Sequence, residues 1–236
     1  MERIELTKDL SFSRIIHGWW RAESWNNSSE ENLALIEECL KLGITTFDHA
    51  DIYGGGICEE LFGKALALKP ELRNKMELVT KCGITFIHPN MPKNDGHYYN
   101  TSYEHIMYTV NKSLKGLQTD YIDLLLIHRP DVFINPLEVK KAFEELKSLG
   151  KVKHFGVSNF TPSQFEMLQS YLDFPLVTNQ LELSVACYDN FENGAIENAM
   201  KHRIKPMAWS PLDGGKLFKT DTEKYIRLRK ALEETQ

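Results

Sequence analysis

The run Thr45-Thr46-Phe47-Asp48-His49-Ala50-Asp51-Ile52-Tyr53-Gly54-Gly55-Gly56 decides how the rest of the chain is read. With Ile44 before it, it opens as a β-branched and aromatic stretch of the kind that forms a strand. Asp48 stands where that strand stops, and Tyr53 follows it by five positions. A carboxylate at a strand end and a phenol on the next turn can face one pocket. The three glycines let the backbone turn sharply and let something bulky approach. Taken alone, the stretch fits equally a strand, a capped turn and a half-buried tyrosine.

Outward from it, strand and helix alternate on both sides. Upstream, residues 4–12 form two alternating pieces around Thr7-Lys8-Asp9, which predicts a hairpin, and residues 15–18 read as a strand. Residues 28–42 read as a helix, with Ser28 and Glu31 in capping-box register and Gly43 as its stop. Downstream come a helix near 59–66, a strand at 77–81 and a long connection, 83–100, carrying His88, His97, Tyr98 and Tyr99. Thr101 and Glu104 form a capping box for a helix whose stripe is Ile106, Val110, Leu114 and Leu117. An apolar run, 123–127, ends at His128, and Asn135-Pro136 begins a helix that Gly150 ends. Phe155-Gly156-Val157 runs into Ser158-Asn159, and Thr161, Pro162 and Gln164 open the next helix. Residues 176–178 end in Asn179-Gln180, a helix follows near 195–201, and Pro206-Met207-Ala208 ends at Trp209-Ser210. Residues 222–235 read as a polar helix with Tyr225, Leu228 and Leu232 on one side.

Strict alternation of short, apolar strands with helices predicts a parallel sheet buried on both faces. No G-x-G-x-x-G follows the first strand, so a (β/α)8 TIM barrel with an N-terminal β-hairpin fits better than a dinucleotide-binding fold. Such a barrel has eight strands in about 250 residues, and the pattern supplies seven strand–helix units in 236. Residues 1–236 therefore read as one barrel domain, incomplete at its C-terminus, without the eighth unit. The expectation is an ordered part of a longer chain or a truncated product, with the strands near Ile15 and Pro206 as open edges.

The net charge of −5 gives no basic footprint for nucleic acid or a membrane face. No apolar run approaches the roughly 18 residues of a span, and the start lacks a signal core. Cys39, Cys58, Cys82 and Cys187 show no C-x-x-C spacing and suit a reducing cytoplasm. The histidines form no metal-binding pattern, so no metal is expected. His17 and His49 fit hydrogen-bonded wall residues as well as ligands, and His88 and His97 fall on the long loop.

In a barrel the chemistry lies at the C-terminal ends of the strands. There stand Asp48, Lys81, His128, Ser158 with Asn159, Gln180, and Trp209 with Ser210. Six polar or aromatic strand ends in succession point to one convergent site. A phenol is a poor acid or base at neutral pH, but an ammonium beside it stabilises its anion. Lys81 can supply that ammonium, Asp48 can hold it, and His128 can donate to a substrate oxygen. Trp19, Trp20 and Trp25, with the 83–100 loop, are placed to wall a substrate pocket, and three tryptophans so close fit a packed core equally well. The set suits proton transfer to a developing alkoxide.

Together these strings resemble the aldo-keto reductase family. FDHADIYG carries Asp48 and Tyr53, VTKCG carries Lys81, LLLIHRPD carries His128, and GVSNF, TNQLE and AWSPL follow in order, over about residues 15–218. The closest flavour is a bacterial oxidoreductase branch. The resemblance implies an NADPH-dependent oxidoreductase that reduces an aldehyde or ketone, with Tyr53 as proton donor. It assigns Ser158, Asn159 and Gln180 to the nicotinamide carboxamide, Trp209 to stacking on the ring, and Ser210 and Leu212 to the neighbourhood of the pyrophosphate. The family's adenosine-binding segment is not present in this chain. Two other readings stay open: a cofactor-binding but non-catalytic partner protein, and a barrel isomerase with residues 210–216 as a phosphate loop.

Overall fold

The computed structural model describes residues 1–92 and 94–235. An antiparallel hairpin opens the chain, β1 (Arg3–Thr7) and β2 (Leu10–Ser13). The alternation follows as β3 (His17–Gly18), α1 (Ser29–Lys41), β4 (Thr46–Asp48), α2 (Ile57–Ala67) and β5 (Glu77–Cys82). A small antiparallel pair, β6 (Ile84–Thr85) and β7 (Tyr98–Tyr99), precedes α3 (Tyr103–Leu117), β8 (Ile122–Ile127), α4 (Pro136–Ser148) and β9 (Val152–Ser158). The chain continues through α5 (Pro162–Tyr171), β10 (Leu176–Glu182), α6 (Asp189–Glu192), α7 (Ala195–His202) and β11 (Met207–Trp209) to α8 (Lys216–Lys219) and α9 (Glu223–Glu233).

Seven strands pair in parallel in the order β11-β10-β9-β8-β5-β4-β3. This is an incomplete (β/α)8 barrel of seven strands, and β3 and β11 are its edges. Residues 222–235 form the helix the sequence predicts and contribute no strand.

Alternation along the strands sorts the apolar residues into two layers. Val79, Leu124, Leu126, Val177 and Met207 fill the barrel interior, and Leu10 and Phe12 of the hairpin pack with them. The opposite faces meet the helices, as where Phe155 and Val157 of β9 pack with Phe143 of α4 and Phe165 of α5. A register shift in β10 between Leu176 and Asn179 breaks the alternation there. It lets Val177 join the interior layer while Gln180, three residues on, also faces inward at the top.

Several boundaries differ from the sequence pattern. The β3 strand holds only His17 and Gly18, because the Ser13 hydroxyl donates to the Ile15 carbonyl and bends the preceding residues out of the ladder. The cap of α3 is Ser102, which accepts from the His105 N–H, and not Thr101. Thr101 is buried and its hydroxyl donates to Asp131 Oδ2 at 3.3 Å, so it is not available as a cap. The capping boxes of Ser28 with Glu31 and of Thr161 with Gln164 form as predicted, as does Pro136 at the start of α4.

Candidate active site

Each site residue is delivered by the end of a strand. On β5, Lys81 lies two residues beyond Val79 and so points into the barrel, where it is 1% exposed. Its Nζ donates to Asp48 Oδ1 at 2.6 Å, to the His49 carbonyl at 2.8 Å and to the Tyr53 hydroxyl at 3.1 Å. Asp48 ends β4, and its second oxygen accepts from Gln180 Nε2 at 2.9 Å. Tyr53 opens a short 3-10 turn, Tyr53–Gly56, and its ring meets His128 edge-on at 5.9 Å. His128 continues the inward parity of Leu124 and Leu126 one step past β8.

The glycines do what their position suggests. Gly54, Gly55 and Gly56 all adopt positive φ, which L side chains rarely tolerate. A Cβ on Gly55 would run into the imidazole of His88, so the bulky group that comes close here is the 83–100 loop leaning on the turn.

Burial dominates the electrostatics. The Tyr53 phenol is pushed up by burial, pulled down by Lys81 and raised again by Asp48, and the net direction is upward. Burial works against the Lys81 ammonium, but Asp48 and Tyr53 outweigh it and hold the group charged. His128 lies well below the ordinary imidazole value through burial, then Lys81 and Arg129, so its ring is neutral at pH 7. The site thus holds a neutral phenol, an ammonium paired with a carboxylate, and a neutral imidazole.

The second half of the site lies across β9, β10 and β11. Ser158 Oγ donates to the Gln180 carbonyl at 3.0 Å, and Asn159, at φ 60, donates through Nδ2 to Ser158 Oγ at 2.8 Å and to the His128 carbonyl at 3.3 Å. The Trp209 indole N–H donates to Asn159 Oδ1 at 3.0 Å. These side chains line one pocket of about 420 Å3 together with Asp48, Tyr53, His128 and Ser210. The donor set of hydroxyl, two amides and a flat indole suits an amide-bearing aromatic ring, so the residues present fit a nicotinamide.

Not every expected residue reaches the pocket. Of the three tryptophans, Trp20 lines it. Trp19 is fully buried outside the barrel wall against Phe62 and Trp25, and Trp25 packs on the same cluster. The strand ends at Gly18 and the chain turns at Trp20, which separates the two rings. Leu212 is exposed and lies outside the pocket lining, because the turn at Ser210 and Pro211 carries the chain away. His49 is buried with neither ring nitrogen hydrogen-bonded, and His17 Nδ1 is likewise without a partner, so hydrogen bonding does not hold these two rings. Both belong to the aromatic layer with Trp19 and Phe47. Arg129, Ile52 and Ile84 line the pocket and escape the sequence reading. Arg129 had a visible signal, since it follows His128 on the same strand-end turn.

Among the described residues no group of three His, Cys, Asp or Glu could hold a metal, and no helix is long and apolar enough to cross a membrane.

Fold and pocket together describe an incomplete (β/α)8 barrel with a polar cluster at the C-terminal ends of its strands. The model of the aldo/keto reductase family matches residues 14–235, and the chain belongs to that family. It is 56% identical over 236 residues to the uncharacterized oxidoreductase YcsN of Bacillus subtilis (strain 168), covering 100% of this chain and 79% of that protein. To a 6-dehydroglucose reductase of Agrobacterium fabrum it is 47% identical over 219 residues, covering 92% of this chain and 74% of that protein. Among solved structures, the holo form of the aldo-keto reductase AKR11C1 from Bacillus halodurans superposes with a TM-score of 0.77 at 28% identity, over 92% of this chain and 68% of that one. Family membership supports an NADP(H)-linked oxidoreductase.

Proposed function

We propose that the protein reduces an aldehyde or ketone to an alcohol, with Asp48, Tyr53, Lys81 and His128 as its catalytic residues. The observation that carries this is the triangle in which Lys81 Nζ reaches Asp48 at 2.6 Å and Tyr53 at 3.1 Å, on one side of a pocket that His128 also lines. NADPH, when bound, supplies the hydride for the carbonyl carbon. Tyr53 gives its proton to the carbonyl oxygen; burial keeps that proton on the phenol until it is needed. Lys81 stabilises the phenolate left behind, and Asp48 keeps Lys81 charged and aimed. His128, neutral, orients the carbonyl oxygen by donating to it.

In this reading Ser158, Asn159 and Gln180 hold the carboxamide and Trp209 faces the nicotinamide ring. Ser210 and the exposed Leu212 are assigned to the side of the pyrophosphate, and Trp20 to the substrate. The chain acts as one barrel unit in the cytoplasm, which agrees with its four free cysteines. A phosphate role for the 210–216 turn is disfavoured because Asp213 places a carboxylate there, bonded to the Tyr225 hydroxyl. The 6-dehydroglucose reductase among the relatives supports a carbonyl substrate.

The test is a panel of aldehydes and ketones, followed by the loss of nicotinamide absorbance. Turnover that Tyr53→Phe abolishes is the expected result. Cofactor binding with no turnover of any carbonyl would favour a non-catalytic partner protein.

A further inference from the structure

The pocket holds a charge that the proposed chemistry does not use. Arg129 lines it and is, among the described lining residues, the permanent cation. Among the described residues no carboxylate forms a salt bridge with it and no group accepts a hydrogen bond from its guanidinium. The two nearby carboxylates are both engaged elsewhere. Asp48 is held by Lys81 and Gln180. Asp131, two residues beyond Arg129, accepts from the Phe133 N–H at 2.9 Å and from Thr101 Oγ1.

The side chain is nonetheless placed. Its guanidinium carbon lies 5.7 Å from the centroid of the Trp209 ring, a cation–π contact that steadies the head without using its N–H donors. Lys81 is balanced by Asp48. What faces the pocket is therefore a steadied, half-buried fork of donors with uncompensated charge, next to the histidine assigned to the carbonyl oxygen. A guanidinium in that state matches a planar or tetrahedral oxyanion, which it can bind through two parallel hydrogen bonds. Trp20, Ile52 and Ile84, which also line the pocket, offer apolar surface to the carbon chain of such a molecule.

We propose that Arg129 receives an anionic oxygen group, carboxylate or phosphate, on the carbonyl substrate, so that the preferred substrates are acidic aldehydes or ketones. The proposal rests on reading the pocket as a carbonyl-reduction site. Arg129 is then a specificity residue that touches the substrate away from the reacting carbon.

The experiment compares kcat/KM for succinic semialdehyde, butanal and glyceraldehyde in the wild type, Arg129→Met and Arg129→Lys. Wild type is expected to favour succinic semialdehyde over butanal by roughly ten- to a hundredfold, the range of one charge-assisted pair. Arg129→Met should bring that ratio close to one, chiefly through the KM of the acid, and Arg129→Lys should restore part of it. A phosphate-bearing aldehyde, glyceraldehyde 3-phosphate, tells the two anions apart. A wild-type ratio near one would overturn the proposal, as would preference for neutral glyceraldehyde over both acids. An equal loss on all aldehydes in Arg129→Met would also overturn it and assign the arginine to the cofactor or the chemistry. Succinate and inorganic phosphate binding, measured by calorimetry without turnover, separates this from the underlying reading. Binding of either anion that Arg129→Met removes supports the anion site even if no carbonyl is reduced. Absence of binding of both in the wild type refutes it even if carbonyls are.

Discussion

The Tyr53 phenol is pulled in opposite directions, and the balance fixes its role. Burial raises it, Lys81 lowers it, Asp48 raises it, and burial prevails. An ammonium at 3.1 Å would by itself favour the phenolate. The buried surroundings make the proton donor the resting form instead, and the ammonium acts when negative charge develops. A group whose folded value lies above the ordinary phenol value of about 10 keeps its proton through neutral pH. Carbonyl reduction is therefore expected to be level across neutral pH and to fall only in the alkaline range. Tyr53→Phe should lower kcat by at least about a hundredfold and leave cofactor affinity nearly intact; near-wild-type turnover would dismiss Tyr53 as the acid. Lys81→Met should slow the enzyme comparably, since the phenol loses the charge and the hydrogen bond that pull it down, and Asp48 keeps Gln180 alone. An unchanged rate and pH profile in Lys81→Met would break the pairing. At this scale much was legible, because Asp48, Lys81 and His128 each interrupt an apolar run at a strand end. That Arg129 is unpaired was not, because whether a charge is paired depends on neighbours from other elements, here Asp131 turned towards Thr101.

Around the turn that carries Tyr53, two carboxylates are buried where the sequence suggests surface charge. Asp51 is 5% and Glu59 2% exposed. Glu59 sits on the packed face of α2 with Phe62, Gly63 and Leu66, the i, i+3, i+4, i+7 series, so its burial was legible in the spacing. The close approach that hides it was not. A Cβ on Gly63 would collide with the Gly116 carbonyl, so α2 and α3 pack backbone against backbone and close over Glu59. Thr80 Oγ1 donates to Glu59 at 2.6 Å, and Asp51 Oδ1 has no partner. Burial raises both groups, and Glu59 raises Asp51 further. The folded state thus holds protons that the unfolded chain releases above about pH 4. The resulting stabilisation is complete below that point and is lost as pH rises through the folded values. Buried His49 and half-buried His17 and His128, all lowered, act in the opposite sense: they disfavour folding as pH falls through about 6.5, where the unfolded chain takes up the proton. Glu59→Gln keeps an acceptor for Thr80 and removes one buried titratable group while leaving the histidines in place. Urea midpoints should therefore fall less between about pH 5 and pH 8 in the variant than in the wild type. An identical change in both proteins would show that Glu59 does not carry this pH dependence.

Across the whole molecule, alternation of strand and helix was readable because each unit is punctuated by a cap or a glycine, as at Ser28, Gly43, Pro136 and Thr161. The register shift in β10 was not readable, since the side chains at 176–180 look like any apolar strand turning polar, yet it brings Gln180 to Asp48. The sheet itself is uneven. β8 is paired on both sides, to β5 and to β9, with buried residues along its full length. Among the described residues β3 pairs only with β4, and β11 only with β10, across three registered positions from Gln180 and Met207 to Glu182 and Trp209. Amides bonded on one side open by local fluctuation, whereas those at the centre exchange only when most of the fold opens. Hydrogen exchange, corrected for intrinsic rates, is therefore expected to be slowest in β8 and β9 and clearly faster in β3 and β11. Equal protection in β11 and β8 would mean that β11 is held by a neighbour outside this sheet order. The same measurement bears on the cofactor assignment. Trp209 and Asn159 are joined by an indole–amide hydrogen bond, so a nicotinamide gripped there should tie β11 to the end of β9. Saturating NADPH is expected to slow exchange at Met207, Ala208 and Trp209, and at Ser158 and Asn159, more than in β3 on the opposite edge. Slowing confined to β3, or none in β11, would place the cofactor away from Trp209 and undo that half of the site.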